Sequence, residues 1–293
     1  MINSKSKLIC YLIRITGISL FLRAIYAKRK VTIVNYHSPA KEIFESHMRM
    51  FSKIYNLISM DQLYDAIARK DFSGLPIKSL VVTIDDGHKS NVELLDVIKR
   101  YKVTVIVYAV SGLINTNRHF WFNIDGLTHD KILKLKTLDD QERRQVLTTQ
   151  FNHTDEREYA EPHALSAKDL KELINAGVVV GSHTVFHPEL SKCSDVVGIM
   201  ECCESKKMLE SITGNEIKHF AYPSGAYDQR CKEWLKKAGY RTARTIKAGW
   251  VRPDTGLYEL PNFGINDNAG VSKAIVQACG LWDTIKGLLR KVR

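Results

Sequence analysis

The chain has 293 residues, enough for one large α/β domain, with no low-complexity tract and no internal repeat. Its net charge of +11, from 43 Lys and Arg against 32 Asp and Glu, favours anionic partners such as phosphorylated glycans or lipid head groups; no aromatic-plus-basic motif accompanies it, so nucleic acid is not expected. Six cysteines form no C-x-x-C pair in a chain too large to need disulfide staples, and they read as free thiols of a reducing cytosol.

Leu8 to Leu22 is largely apolar, but Arg14 interrupts it and Gly17 and Ser19 dilute it. It is too short and too charged for a membrane span, and it lacks the clean apolar core and small-residue cleavage site of a signal peptide. Residues 1–30 read instead as a basic amphipathic helix, either packed on the domain or lying on a membrane surface. Residues 271–293 read the same way, through Leu281-Trp282-Asp283-Thr284-Ile285 and the basic end Arg290-Lys291-Val292-Arg293.

Val31 to His37 is a strand rich in β-branched residues, stopped by Ser38-Pro39. Phe44 to Tyr55 has helical periodicity, and Ser59 opens a second helix running to Ala68. The apolar run Leu80 to Ile84 is a buried strand, followed by a helix from Asn91 to Tyr101 and a further buried strand over Val103 to Val110. Strand, helix and strand in succession imply parallel pairing with right-handed crossovers. Residues 114–163 turn polar, with a helical piece at Asp139 to Gln150, and form an elaborated connection that Phe120-Trp121-Phe122 pins down. Ser166 caps a helix to Asn175, with Asp169 at capping-box spacing. A strand at Val178 to Val180 runs into Gly181-Ser182-His183-Thr184-Val185-Phe186-His187-Pro188. A long helix from Cys193 to Thr213 follows. Then come a strand at His219 to Tyr222, a turn at Pro223-Ser224-Gly225, a helix from Asp228 to Ala238, and strands at Thr242 to Thr245 and Tyr258 to Phe263.

Asp85-Asp86-Gly87 ends the strand Leu80 to Ile84. Unpaired carboxylates at the tip of a buried strand are costly to desolvate. The cost is met if one ligates a cation and the other handles a proton; an ordinary acidic turn or helix cap is the plainer alternative for this stretch alone. Other strand ends carry His37, the His183/His187 pair and Tyr222-Pro223-Ser224, the way a (β/α) barrel assembles a site. One carboxylate and two imidazoles suit a divalent metal, zinc first, with cobalt, nickel and manganese also fitting. Non-haem iron oxygenases use the same ligand set, but this α/β pattern argues against their usual fold.

Thr83-Ile84-Asp85-Asp86-Gly87 resembles the T-F-D-D-G motif of the NodB-homology polysaccharide deacetylases, carbohydrate esterase family 4. Ser182-His183-Thr184-Val185-Phe186-His187 resembles that family's H-[ST]-x-x-H motif, and Phe220-Ala221-Tyr222-Pro223-Ser224-Gly225 its third, in the F-A-Y-P-Y-G form. The likeness spans roughly residues 30 to 265, leaving the barrel as residues 31–270 between the two terminal helices. It implies a distorted (β/α)7 barrel and metal-dependent N-deacetylation of an amino sugar. By position, Asp86, His183 and His187 are the implied metal ligands and Asp85 the base that activates water. Tyr222, Pro223 and Ser224 line the substrate and oxyanion side, with the Ser224 N–H on the oxyanion. The family's C-terminal Leu-x-x-His motif is not evident, so the general acid falls to His37, as in the branch with a permuted last motif; a histidine suits protonation of an amine near neutral pH.

Two positions depart from the family pattern. Ala221 stands where many members have an arginine that pairs with the catalytic aspartate, and Asn262 stands where another arginine is common. These leave Asp85 without an evident partner. The expected activity is removal of an N-acetyl group from an amino sugar of a bacterial surface glycan or its lipid-linked precursor. The expected location is cytoplasmic, with peripheral contact at the inner membrane. Deformylation of a lipid-linked amino sugar is a close variant, and a catalytically silent glycan-binding barrel is the rival that Ala221 and Asn262 motivate.

Overall fold

The computed structural model describes residues 4–282. In chain order the elements are α1 (Ser4–Ile15), α2 (Ile18–Ile25), β1 (Thr32–Tyr36), α3 (Lys41–Ile54), β2 (Asn56–Leu57), α4 (Met60–Ala68), β3 (Ser79–Ile84), α5 (Leu95–Tyr101) and β4 (Val105–Ala109). They continue with α6 (His129–Leu135), α7 (Asp140–Phe151), α8 (Ala167–Asn175), β5 (Val179–Ser182), α9 (Asp195–Thr213), β6 (His219–Ala221), α10 (Gln229–Lys237), β7 (Thr242–Ala248), β8 (Leu260–Gly264) and α11 (Val271–Ala278).

The strands hydrogen-bond in the order β1-β8-β7-β6-β5-β4-β3-β2, and β1 also pairs with β3. The ring therefore closes through seven strands, with the two-residue β2 appended to β3. This is the distorted (β/α)7 barrel. The β1–β3 register is parallel, from Thr32 opposite Leu80 to Tyr36 opposite Ile84, and both strands are buried along their whole length. Strands buried on both faces carry continuous runs such as Leu80-Val81-Val82 rather than alternation.

The chain divides into two compact units. The first comprises residues 1–84, 93–106 and 246–293. In it the Tyr36 hydroxyl meets His47 Nδ1 at 3.1 Å, and His47 Nε2 lies 2.8 Å from the Ala269 carbonyl, tying β1 to α3 and to the chain entering α11. Where one helix is expected over residues 1–30, two stand, because Gly17 adopts φ 74° and breaks the helical path. α11 occupies Val271–Ala278 of the stretch where a C-terminal helix is expected; residues 283–293, including its basic end Arg290-Lys291-Val292-Arg293, lie outside the described residues.

The second unit comprises residues 85–92 and 107–245. Its 114–163 connection has its own small core of Trp121, Ile124, Leu135 and Leu147, so the aromatics at 120–122 do pack it down. Ser166 accepts from the Asp169 N–H while Asp169 accepts from the Ser166 N–H, the capping box expected at α8. All six cysteines are free, five of them buried.

Candidate active site

Asp85, Asp86, His183, His187, Tyr222, Pro223 and Ser224 all belong to the second unit. The acidic turn is built by backbone constraint. Asp86 and Gly87 both take positive φ, 70° and 72°, and the Gly87 N–H closes on the Asp85 carbonyl at 2.9 Å. Any Cβ on Gly87 would lie 3.2 Å from that of Ala109, a tight approach added to the strain of a side chain at positive φ. The Asp86 carbonyl accepts from Val110 N–H at 3.1 Å, which anchors the turn where β4 ends.

The two histidines sit on a loop after β5, with no helical turn between them. His183 N–H bonds the Ala109 carbonyl at 2.9 Å. Thr184 and His187 have φ 70° and 58°. The Thr184 hydroxyl accepts the His187 N–H at 2.8 Å, and the buried Glu201 carboxylate accepts both Val185 N–H, at 2.7 Å, and Phe186 N–H, at 3.0 Å. Trp121 Nε1 donates to the His187 carbonyl at 2.9 Å. One backbone hydrogen bond and four between side chain and backbone thus hold a strained loop in one shape.

The result is convergence. Asp86 Oδ1 lies 3.5 Å from both His183 Nε2 and His187 Nε2, and the three ligand atoms fall within 4.8 Å of one another. Metal–ligand bonds of about 2.1 Å at tetrahedral angles place neighbouring donors about 3.4 Å apart, so the spacing fits one cation. The His183 Nδ1–H donates to the Ala221 carbonyl at 2.7 Å, which leaves Nε2 as its lone-pair atom. Burial pushes His183 below the usual histidine range, and His187 well below it with help from its neighbour His183. Both rings are held in the neutral form that ligates.

Asp85 is 4 % exposed and does have an arginine partner. Arg244 Nη2 donates to both carboxylate oxygens, at 2.5 Å to Oδ1, while Nη1 donates to the Thr245 carbonyl at 3.0 Å. This corrects the expectation drawn from Ala221. The arginine is missing from β6 but present on β7, where Arg244 is the direct register partner of Ala221. The sequence signal was a charged residue inside Thr242-Ala243-Arg244-Thr245, a run otherwise of small residues, all four of which are buried at the start of β7. Charge in such a strand implies a buried partner.

Ser224, with φ 51°, sits in the tight turn that Pro223 opens after β6. Its hydroxyl accepts from Lys136 Nζ at 2.6 Å, and Glu189 Oε1 lies 4.0 Å from the same ammonium. The Tyr222 N–H bonds the Arg244 carbonyl at 3.0 Å, and its ring stacks on Tyr227. His88, which carried no signal, places Nε2 3.2 Å from Asp86 Oδ2, on the carboxylate oxygen turned away from the two other ligands. His37 lies in the first unit, exposed, beyond the end of β1; its N–H and that of Ser38 donate to the Asp267 carboxylate. Asn262 is buried on β8 in that same unit.

Fold and site together define an α/β barrel that gathers a carboxylate and two imidazoles in the loops after its strands. The family model for polysaccharide deacetylase matches residues 73–243, and the chain belongs to the polysaccharide deacetylase family. It is 22 % identical over 248 residues to the Bacillus subtilis protein named "Putative polysaccharide deacetylase YxkH", covering 79 % of this chain and 70 % of that one. It is 24 % identical over 164 residues to a Staphylococcus aureus poly-beta-1,6-N-acetyl-D-glucosamine N-deacetylase, covering 52 % of this chain and 56 % of that one. Among solved structures, the Streptococcus pyogenes deacetylase PplD aligns over 86 % of this chain and 99 % of its own, with TM-score 0.63 and 18 % identity. IcaB from Ammonifex degensii aligns over 86 % and 97 %, with TM-score 0.61 and 16 % identity.

Proposed function

We propose that this protein removes an N-acetyl group from an amino sugar of a bacterial surface glycan or its lipid-linked precursor, with a divalent cation, zinc first, held by Asp86, His183 and His187. The observation that carries the reading is the convergence of those three ligand atoms beside a second carboxylate that Arg244 grips through both oxygens. A cation bound there supplies Lewis acidity, polarising the amide carbonyl and making water more acidic.

The protein side of the reaction follows from its own groups. Asp85 takes the proton from the attacking water. Arg244 fixes the orientation of that carboxylate, so little reorganisation accompanies the transfer. The Ser224 N–H faces the oxygen on which charge develops. The departing amine takes up a proton, a role that the family resemblance alone gives to His37, and the products are acetate and the free amino sugar. The substrate class rests on the family and on the name of the S. aureus relative, which makes β-1,6-linked N-acetylglucosamine oligomers the first polymer to test.

The test measures free amine, acetate and formate released from such oligomers and from lipid-linked acetamido sugars, using wild type, Asp85→Asn and His37→Gln with metal content determined on each. Acetate from wild type, and none from an Asp85→Asn variant that retains metal, supports the reading. Formate in place of acetate moves the acyl group to formyl. Wild type that takes up no metal, or turns over unchanged without it, sinks the assignment of the Asp86 site.

A further inference from the structure

Residues 1–30 carry seven Lys and Arg and no Asp or Glu, more than half of the chain's net +11. Within them α1 and α2 repeat one pattern. Leu8, Tyr11, Leu12 and Ile15 follow the i, i+3, i+4, i+7 spacing of a single helical face, and Ile18, Phe21, Leu22 and Ile25 follow it again. That face ordinarily turns to the core. Here, with Leu22 alone half-buried, it turns to solvent: Leu8 is 59 % exposed, Ile15 58 %, Phe21 62 % and Ile25 63 %. Of the fifteen large apolar side chains that stand exposed among the described residues, nine fall between Leu8 and Tyr26.

The opposite face is already taken. Cys10 and Ile13 pack against Val276, Leu281 and Trp282, and Arg14 Nη1 donates to the Ser272 hydroxyl on α11. On α2 the Arg23 guanidinium lies 4.9 Å over the Tyr55 ring. The helices are therefore fastened to the folded unit on one side and bare on the other. They bend by 60° at the break, and no single helix among the described residues is long and apolar enough to cross a membrane. Lying in an interface fits this arrangement, whereas spanning would pull α1 from α11. Where α2 ends, Tyr26 meets Trp250 edge-on at 5.4 Å, and Lys30 Nζ sits 3.3 Å over the Tyr26 ring. Amphipathic rings beside ammonium groups suit the head-group layer, and Lys28 and Arg29 extend the cationic rim.

We propose that the bare face of α1 and α2 docks on an anionic lipid surface, with its apolar stripe at the acyl boundary and Lys28, Arg29 and Lys30 among the head groups. The whole construction lies within the first unit and is independent of the chemistry at the Asp86 site.

The experiment is vesicle co-sedimentation of the full chain with phosphatidylcholine alone and with phosphatidylcholine containing phosphatidylglycerol, at low and high salt. The wild type is expected to bind the anionic vesicles and to be released by salt. The Lys28→Glu/Arg29→Glu/Lys30→Glu variant should lower partitioning by at least about a hundredfold, since each surface cation contributes roughly fivefold. Leu12→Asp/Phe21→Asp changes only exposed positions and should abolish binding while leaving the thermal melting curve and any deacetylation of soluble oligomers unchanged. Equal wild-type binding to neutral and anionic vesicles, or no binding to either, overturns the proposal. So does a wild-type dimer in analytical ultracentrifugation that the same Asp variant dissociates, because the face would then belong to a second copy.

Discussion

Ala221 on β6 and Arg244 on β7 are direct partners in the parallel register, and the arginine that might have risen from the first rises from the second. Arg244 is wholly buried and reaches Asp85, 159 positions earlier in the chain, through one Nη2 that serves both carboxylate oxygens. Neighbouring strands lie only about 4.8 Å apart, and a long guanidinium side chain spans that difference easily. Position on the barrel is what the chemistry needs, and either strand supplies it.

The first prediction follows from that pair. Arg244→Ala takes the guanidinium away from a buried carboxylate, which costs about 3–5 kcal/mol of stability, and a loosened base lowers kcat by about a hundredfold or more. The double variant Ala221→Arg/Arg244→Ala should recover at least about tenfold of that loss, the scale of coupling between contacting sites. Thermal melting and turnover are measured together. A double variant no better than Arg244→Ala in either would show that the arginine must come from β7.

Glu201 supports the loop that carries His187 without touching the three ligand atoms. Its carboxylate accepts two successive backbone N–H groups, and burial pushes the carboxyl up to about 7. Glu201→Gln keeps an acceptor oxygen in place and should retain metal affinity. Glu201→Ala removes both bonds, and metal affinity is expected to fall by about 10–100-fold, as for other groups that orient ligands. Isothermal titration of the chelator-treated protein with zinc reads this directly. Equal affinities for the two variants would deny Glu201 any positioning role.

Acid should destabilise the second unit in a defined window. His153 is 2 % exposed with Nδ1 on the Tyr159 hydroxyl, and burial, reinforced by Arg143 and Arg157, lowers it from 6.5 to about 4. A histidine depressed on folding binds its proton more readily in the unfolded chain, so its contribution is complete above pH 6.5 and is lost as pH falls towards about 4. For His153 this amounts to roughly 3 kcal/mol. His163, lowered to about 4 by burial and by His119, adds in the same direction. Urea midpoints at several pH values between 7 and 4 should fall more steeply for wild type than for His153→Asn. Parallel slopes would show that other groups set the acid sensitivity.

Gly198 on α9 lies against Trp234 on α10. A Cβ built there would overlap the indole ring, which is itself 3 % exposed. Gly198→Ala should therefore destabilise by about 1–3 kcal/mol despite the better helix propensity of alanine. Chemical denaturation is the check. Gly198→Ala with unchanged or raised stability would mean that the α9–α10 contact yields freely.

Much of this protein was legible in its residues because the relevant rules are local. Continuous apolar runs identify strands buried on both faces, Ser59 and Ser166 mark helix starts through their own hydroxyls, and carboxylates and imidazoles at strand ends advertise a site. Asp86, His183 and His187 could be named in advance because each sits in a short motif whose strand, turn and glycine signals are adjacent in sequence. The tertiary structure decided what depends on residues far apart. Nothing near Asp85 in the chain points to Arg244, since the pairing exists only once β7 is placed in the ring. Glu201, Trp121 and His88 likewise acquire their roles through contacts made across the second unit. Amphipathic periodicity in residues 1–30 was visible at once, but a stripe of apolar residues is the same string of letters whether it faces a core or solvent. Only packing of the opposite face on α11 left that stripe bare.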